Sequence, residues 1–178
     1  MKKTIALLIL LLIMLPCQGA FAASVSTTSV EKQYFEDYKG RVKEVREAQK
    51  ALYAALCTEL PSLTAKSKAS IAQYNSLVKS KASKDSIAQA KAVRDQDRKT
   101  LLSAKMSCTK KVNDAKKTSN NQLKEVDQYK RNMIAMIKTH LAGKDRMSSE
   151  EFNKKVQDGL KYINDRFDII IRDLKSVR

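Results

Sequence analysis

Apolar residues recur at steps of three and four along most of the chain, which is the spacing of helices that pack through one face. The longest such series ends the sequence: Val156, Leu160, Ile163, Phe167, Ile170, Leu174 and Val177. A second series runs from Phe35 to Leu56 and is interrupted by Gln49. If Gln49 is buried, it would help to fix the register in which the helices pack. No stretch alternates polar and apolar residues as a half-buried strand does. The pattern predicts an all-α fold: an antiparallel helical bundle with coiled-coil-like helical hairpins, about five helices and one disulfide.

Capping and breaking residues divide this pattern into helices. A capping box of Thr28 with Glu31 predicts that the first helix starts at Thr28 or Ser29, and Leu60-Pro61 is expected to end it. The second helix is predicted over 62–81, followed by a turn after which Ser83 caps the third.

The second half of the chain predicts three helices. The third runs over 84–117 and is expected to end at the polar cluster of residues 118–121. Its middle is expected to be exposed or loosely packed, because Arg94 and Asp97 occupy positions that should be apolar. The fourth helix covers 122–141, with Gly143 as its C-terminal cap. Ser148, with Glu151 at the third helical position and Met147 packing on Phe152, predicts the start of the fifth.

The first 22 residues have the layout of a secretory signal: two lysines, an uncharged run and the small-residue stretch Ala20-Phe21-Ala22. We expect cleavage after Ala22, a flexible segment over 23–28 and a single helical domain over 29–178. A lipoprotein anchored through Cys17 is disfavoured, because Pro16 stands where such sites need a small, flexible residue. The protein is therefore expected in the periplasm or outside the cell.

Cleavage would leave two cysteines, Cys57 and Cys108, and oxidising compartments convert such pairs into disulfides. A helical hairpin with its turn near residue 82 returns Cys108 to the level of Cys57, because its two limbs are of similar length, roughly 32 and 36 Å. The alternative is one unbroken helix over 62–117, which would permit only an intermolecular bridge.

Positive charge is concentrated in the middle section, 61–120, which holds 14 Lys and Arg against 4 Asp and Glu. Such an excess attracts polyanions. The residues expected to bind an anionic partner are Lys79, Lys81, Lys84, Lys91, Arg94, Arg98, Lys99, Lys110, Lys111, Lys116 and Lys117.

Signatures of catalysis are weak. The chain has one histidine, His140, which is best explained by the favourable dipole at a helix C-terminus. No two glycines are close enough to form a phosphate-binding loop, and carboxylate pairs such as Asp165 with Asp168 are typical of any helical surface. The six tyrosines are spread singly and are expected to pack at the edges of the core. We therefore expect no enzyme, no metal and no cofactor.

The leading hypothesis is an exported, non-enzymatic binding or scaffold protein that presents a cationic face to an acidic protein, an anionic envelope polymer or a lipid surface. In bulk properties the chain resembles small basic helical periplasmic chaperones, without a shared motif. The alternatives are a secreted effector or toxin that acts on membranes and a non-specific nucleic-acid binder; sequence-specific nucleic-acid binding is disfavoured. A homo-oligomer stays open.

Overall fold

The computed structural model describes residues 26–177, which form an all-α structure of five helices. Their bounds are α1 Thr27–Tyr34, α2 Tyr38–Leu56, α3 Leu60–Lys79, α4 Lys84–Leu141 and α5 Ser149–Ser176. The predicted fold class is confirmed. The expected signal peptide, its cleavage site and Cys17 lie outside the described residues.

The N-terminal helix is capped by Ser26, whose hydroxyl accepts a hydrogen bond from the Ser29 amide at 3.1 Å. The predicted Thr28–Glu31 capping box is wrong, since the Glu31 carboxylate instead accepts a bond from Lys130 at 2.6 Å. Residues 26–28, which the sequence assigned to the N-terminal segment 23–28, thus form the cap and the start of α1. The predicted first helix is also two helices, because Phe35 leaves helical geometry (φ −127°) and is buried.

Pro61 lies in the first turn of a helix and does not end one, contrary to the prediction. It is the second residue of α3, after α2 has ended at Leu56. The amides of a first helical turn have no intrahelical acceptor, so a proline there loses no hydrogen bond. The hairpin turn follows as predicted: α3 ends at Lys79, and the Ser83 hydroxyl accepts from the Ser86 amide at 3.2 Å.

The polar cluster at residues 118–121 does not end a helix. The predicted boundary between the third and fourth helices is therefore wrong. α4 runs through it for 58 residues, about 87 Å at ~1.5 Å per residue. Ser119 is 2% exposed, and the Gln49 amide donates to its hydroxyl at 2.6 Å and to Asn120 Oδ1 at 3.0 Å. The polar residues thus bond across to α2, and Gln49 is buried as its place in the seam predicted.

The connection from α4 to α5 matches the prediction apart from one side-chain contact. Gly143 has a left-handed conformation (φ 64°), and its amide donates to the His140 carbonyl at 2.8 Å. Ser148 caps α5 by accepting from the Glu151 amide at 3.2 Å, whereas the Glu151 carboxylate pairs with Lys155 at 2.9 Å and does not complete the predicted capping box. Met147 packs against the core that contains Phe152.

The five helices form two parts of different thickness. The C-terminal part of α4 packs against α1, α2 and α5, whereas α3 packs against α4 alone. The buried members of the main hydrophobic cluster stop at Leu60 and Cys108, and half-buried Leu101 and Ala104 pack against them. We call residues 60–107 the arm, a two-helix hairpin about 30 Å long at the usual helical rise, and the remaining described residues the base.

Cys57 and Cys108 form the predicted disulfide where the arm joins the base, with Cα atoms 5.6 Å apart. An unbroken helix over 62–117 is excluded, because the chain reverses between Lys79 and Lys84. The bond closes the hairpin at its open end.

Candidate anion-binding surface

The two helices of the arm meet through a seam that is largely polar. Between Leu60 and Cys108, Ala90 is the one buried apolar residue, and the other buried residues are Ser67, Ser70 and Asp97. Asp97 is 7% exposed and pairs with Lys66 at 3.3 Å, while its Oδ2 has no hydrogen-bond partner. Asp97 is therefore buried, where the sequence led us to expect an exposed or loosely packed part of the helix.

The Arg94 side chain is engaged within the arm. Its guanidinium lies 4.2 Å from the centre of the Tyr74 ring and bonds to Asp95 at 2.7 Å. The hydrogen bond to Asp95 is the largest of the influences that raise the pKa of Arg94. Because its charge is already paired, Arg94 is a poorer candidate for an external anion than its neighbours.

Four basic residues at seven-residue intervals form a line along one flank of α4. We call Lys84, Lys91, Arg98 and Lys105 the cationic stripe. Residues seven apart on a helix differ in direction by only about 20°, so all four project to the same side. Each is exposed, and no carboxylate of residues 26–177 lies in ion-pair contact with any of them. The stripe extends over about 32 Å at ~1.5 Å per residue.

Helix α3 adds two more lysines to the same side of the arm. Lys66 contacts Asp97 at one edge of the seam. Lys68 lies at the other edge, because two residues correspond to about 200° around the helix. Lys79 is eleven residues beyond Lys68, which is close to three full turns, and so shares its direction. We call the stripe together with Lys68 and Lys79 the cationic face.

The opposite side of the arm has a different character. It carries a shallow groove whose lining includes Glu59, Leu63, Gln96 and Ser107. Arg98 is nine residues from Ser107, or two and a half turns, which places the stripe on the far side of α4 from this groove. The candidate Lys99 lines the groove and thus lies away from the cationic face.

The remaining candidates are distributed around the molecule. Lys81 is at the hairpin turn, where it has a positive φ of 54°. Lys110 and Lys117 project from the back of α4, because each lies two residues from a buried one, Cys108 or Ser119. Lys111 and Lys116 are exposed at the junction with the base.

The structure thus brings Lys79, Lys84, Lys91 and Arg98 together and separates the other candidates from them. Sequence reasoning omitted Lys68 and Lys105 from the candidate set. The seven-residue spacing would have identified Lys105. Lys68 could not be assigned without the edge of α3 that packs on α4.

The polar and aromatic residues of the base have structural partners. His140 Nδ1 lies 2.9 Å from Asp145 Oδ1, and its ring stacks on Phe152 at 4.0 Å. This hydrogen bond, more than any other influence, holds the pKa of Asp145 below its usual range. His140 also lies in the last turn of α4, as the helix-dipole explanation requires.

Three of the tyrosines make aromatic contacts in the base. Tyr38 packs edge-on against Phe167 at 5.3 Å, and Tyr129 lies 4.4 Å from Tyr162. Tyr53 and Tyr162 depart from the prediction of core-edge packing, since they are 58% and 44% exposed.

Residues 26–177 contain no group of three or more His, Cys, Asp or Glu residues placed to hold a metal ion. In the same part of the chain, no helix has the length and apolar character needed to cross a membrane.

No protein-family model matches the chain, and no curated protein or solved structure is detectably similar to it.

Proposed function

We propose that this is an exported, non-enzymatic binding or scaffold protein of the cell envelope, whose arm presents a cationic face to an acidic partner. The observation that carries the proposal is the cationic stripe: four exposed basic side chains in line, none of which is in ion-pair contact with a carboxylate of residues 26–177. Helix surfaces in this protein commonly do pair their charges, as Lys161 does with Asp165 at 2.6 Å.

The charge balance of the arm supports this role. Residues 60–107 hold ten Lys and Arg against three Asp, and two of those Asp already pair with Lys66 and Arg94. Like charges about 10 Å apart repel each other across water, and a bound anion removes this repulsion. Because the arm consists of two helices, its cationic face is accessible along its whole length.

Export is supported by two independent features. The N-terminal residues have the pattern of a signal peptide, and the chain forms a disulfide, which persists in oxidising compartments. Positive charge then faces the acidic polymers, lipids and proteins of the envelope.

The proposal is tested by titrating the purified protein with fluorescent poly-L-glutamate at 50 and 200 mM NaCl. If four cations are contacted, the association constant should fall roughly fifty-fold between the two salt concentrations, by the counterion release of flexible single-stranded polyanions. Replacing all four stripe residues by glutamine should abolish most of this salt dependence. Absent binding at 50 mM NaCl, or binding that salt does not weaken, would contradict the proposal.

A further inference from the structure

We infer that the acidic partner is an amphipathic α-helix, which docks lengthwise on the cationic face and completes the arm as a three-helix bundle. This inference rests on the proposed function and names the chemistry of its ligand. Its first support is the spacing within the cationic stripe. Neighbouring members are seven residues, or about 10.5 Å, apart, which is also the interval between carboxylates placed at every seventh position of another helix.

Its second support is a row of half-buried side chains beside the stripe. Ile87 follows Lys84 by three residues and precedes Lys91 by four, so it lies next to both. Leu101 stands in the same relation to Arg98 and Lys105, and half-buried Arg94, which lies between Ile87 and Leu101 along this row, interrupts it. Both side chains remain partly exposed in the two-helix arm.

Helix α3 supplies the other wall of the same surface. Ile71, three residues after Lys68, is half-buried on this side of the seam. Lys66 contacts Asp97, and Tyr74 contacts Arg94. Because Lys68 lies between Lys66 and Tyr74 on α3, it lies beside the middle of the stripe on α4. The result is a long surface with recessed apolar side chains and a line of cations on each side.

The base shows what the arm lacks. There α4 is covered by both α2 and α5, and the seam is filled by large apolar residues such as Phe167 and Ile137, which are fully buried. α5 ends at Ser176 and does not extend along the arm, where α4 packs against α3 alone. A third helix would bury apolar surface that the two-helix arm leaves in water.

The occupant is defined by these features. It has about 22 residues or more, since the stripe spans about 32 Å at ~1.5 Å per residue. It carries Glu or Asp at seven-residue intervals facing the stripe, and a row of apolar residues beside them that reaches Ile87, Leu101 and Ile71. An anionic membrane or a flexible polyanion has no need of such periodicity.

The test compares two synthetic acidic peptides by fluorescence anisotropy. In one peptide, four Glu residues recur at every seventh position beside an apolar row; the other has the same composition and helicity with the Glu residues moved around the helix. The periodic peptide should bind about tenfold tighter, because four aligned ion pairs that each contribute about 1.8-fold multiply to this factor. Equal binding of the two peptides would overturn the inference.

The chain provides a matched pair of variants for the same experiment. The first replaces Lys84, Lys91 and Lys105 by Glu, and the second replaces Lys110, Lys117 and Lys124 by Glu. Both change the net charge by the same amount at exposed, heptad-spaced lysines of α4. The first should weaken binding of the periodic peptide at least about tenfold, and the second less than about twofold. Equal losses would mean attraction by net charge alone and would refute a docking site.

Two further measurements separate the inference from the proposed function. Glutamine replacements at the same two sets of lysines should reproduce the order of the effects, so a folding defect of one charge-reversed variant leaves the test intact. Poly-L-glutamate and vesicles of phosphatidylglycerol should bind more weakly than the periodic peptide, per mole of carboxylate or phosphate. If either binds more tightly, the inference fails while the proposed function stands; if none binds at 50 mM NaCl, both fail.

Discussion

Reduction of the Cys57–Cys108 disulfide should destabilise the whole protein without opening the arm. The bond joins residues 51 positions apart, and loop-closure entropy then predicts a loss of about 4 kcal/mol in the free energy of unfolding at 25 °C. This loss appears when the base unfolds, because only then do the two cysteines separate freely.

Local opening of the arm is a different process. While the base is folded, buried Leu52 and Val112 belong to the one core cluster and hold α2 and α4 together next to the bond. The ends of the arm are thus already close, so the disulfide adds little to the entropy of closing this loop. Amide exchange over residues 60–107 should therefore accelerate by less than about tenfold on reduction. That region should exchange faster than the base in both forms, since its seam buries one apolar residue, Ala90.

The measurements are urea unfolding followed by circular dichroism at 222 nm, and hydrogen exchange followed by mass spectrometry, each with and without a phosphine reductant. A collapse of protection confined to residues 60–107, with an unchanged unfolding midpoint, would refute the reasoning. It would mean that the base does not hold the hairpin closed.

Three other predictions concern the base. A Cβ at Gly159 would lie 2.5 Å from Met133 Sδ, so Gly159→Leu should lower the free energy of unfolding in urea by about 1–2 kcal/mol, after allowance for its gain in helix propensity. The double variant with Met133→Ala should lose less stability than the sum of the two single changes. Burial, with the nearby Asp127 carboxylate, raises the pKa of Tyr38 to about 12. Its neutral phenol therefore stabilises the fold fully below pH ~10, and this stability is lost as the pH rises to 12. Tyr38→Phe should remove this loss of stability from alkaline unfolding curves. The pKa of Asp145 is lowered chiefly by its hydrogen bond with His140, so this carboxylate stabilises the fold above pH ~4 and less as acid protonates it. Asp145→Asn should thus have a lower free energy of unfolding than the parent at pH 7, and this difference should shrink towards pH 3. A difference that stays constant with pH would contradict the role assigned to the Asp145 carboxylate.

The local chemistry of the sequence determined the fold class and several helix ends. The three- and four-residue spacing of apolar residues predicts helices whatever their partners are. Ser83 and Ser148 cap helices through amides only three residues away, and Gly143 adopts a conformation that depends on its own backbone. The pairing of Cys57 with Cys108 was predicted from the two cysteines of an exported chain, and a hairpin of two limbs of similar length agreed with it, but only the structure excluded an unbroken helix.

Tertiary contacts decided the features that the sequence left wrong or open. Residues 118–121 look like a helix end until Ser119 and Asn120 meet Gln49 of α2, which satisfies polar groups that a turn would otherwise satisfy. Pro61 ends or begins a helix depending on which side of it the chain turns.

The division into a thick base and a thin arm, and the choice of which lysines share a face, also belong to the tertiary structure. A sequence specifies the angle between two side chains on one helix, but not the edge that packs against the next helix. Lys66 and Lys68 illustrate this limit: about 200° apart on α3, they lie on opposite edges of the seam, but only the contact of Lys66 with Asp97 shows which edge each lysine occupies. Packing direction is a property of two helices together, and it determines which charges remain for a partner.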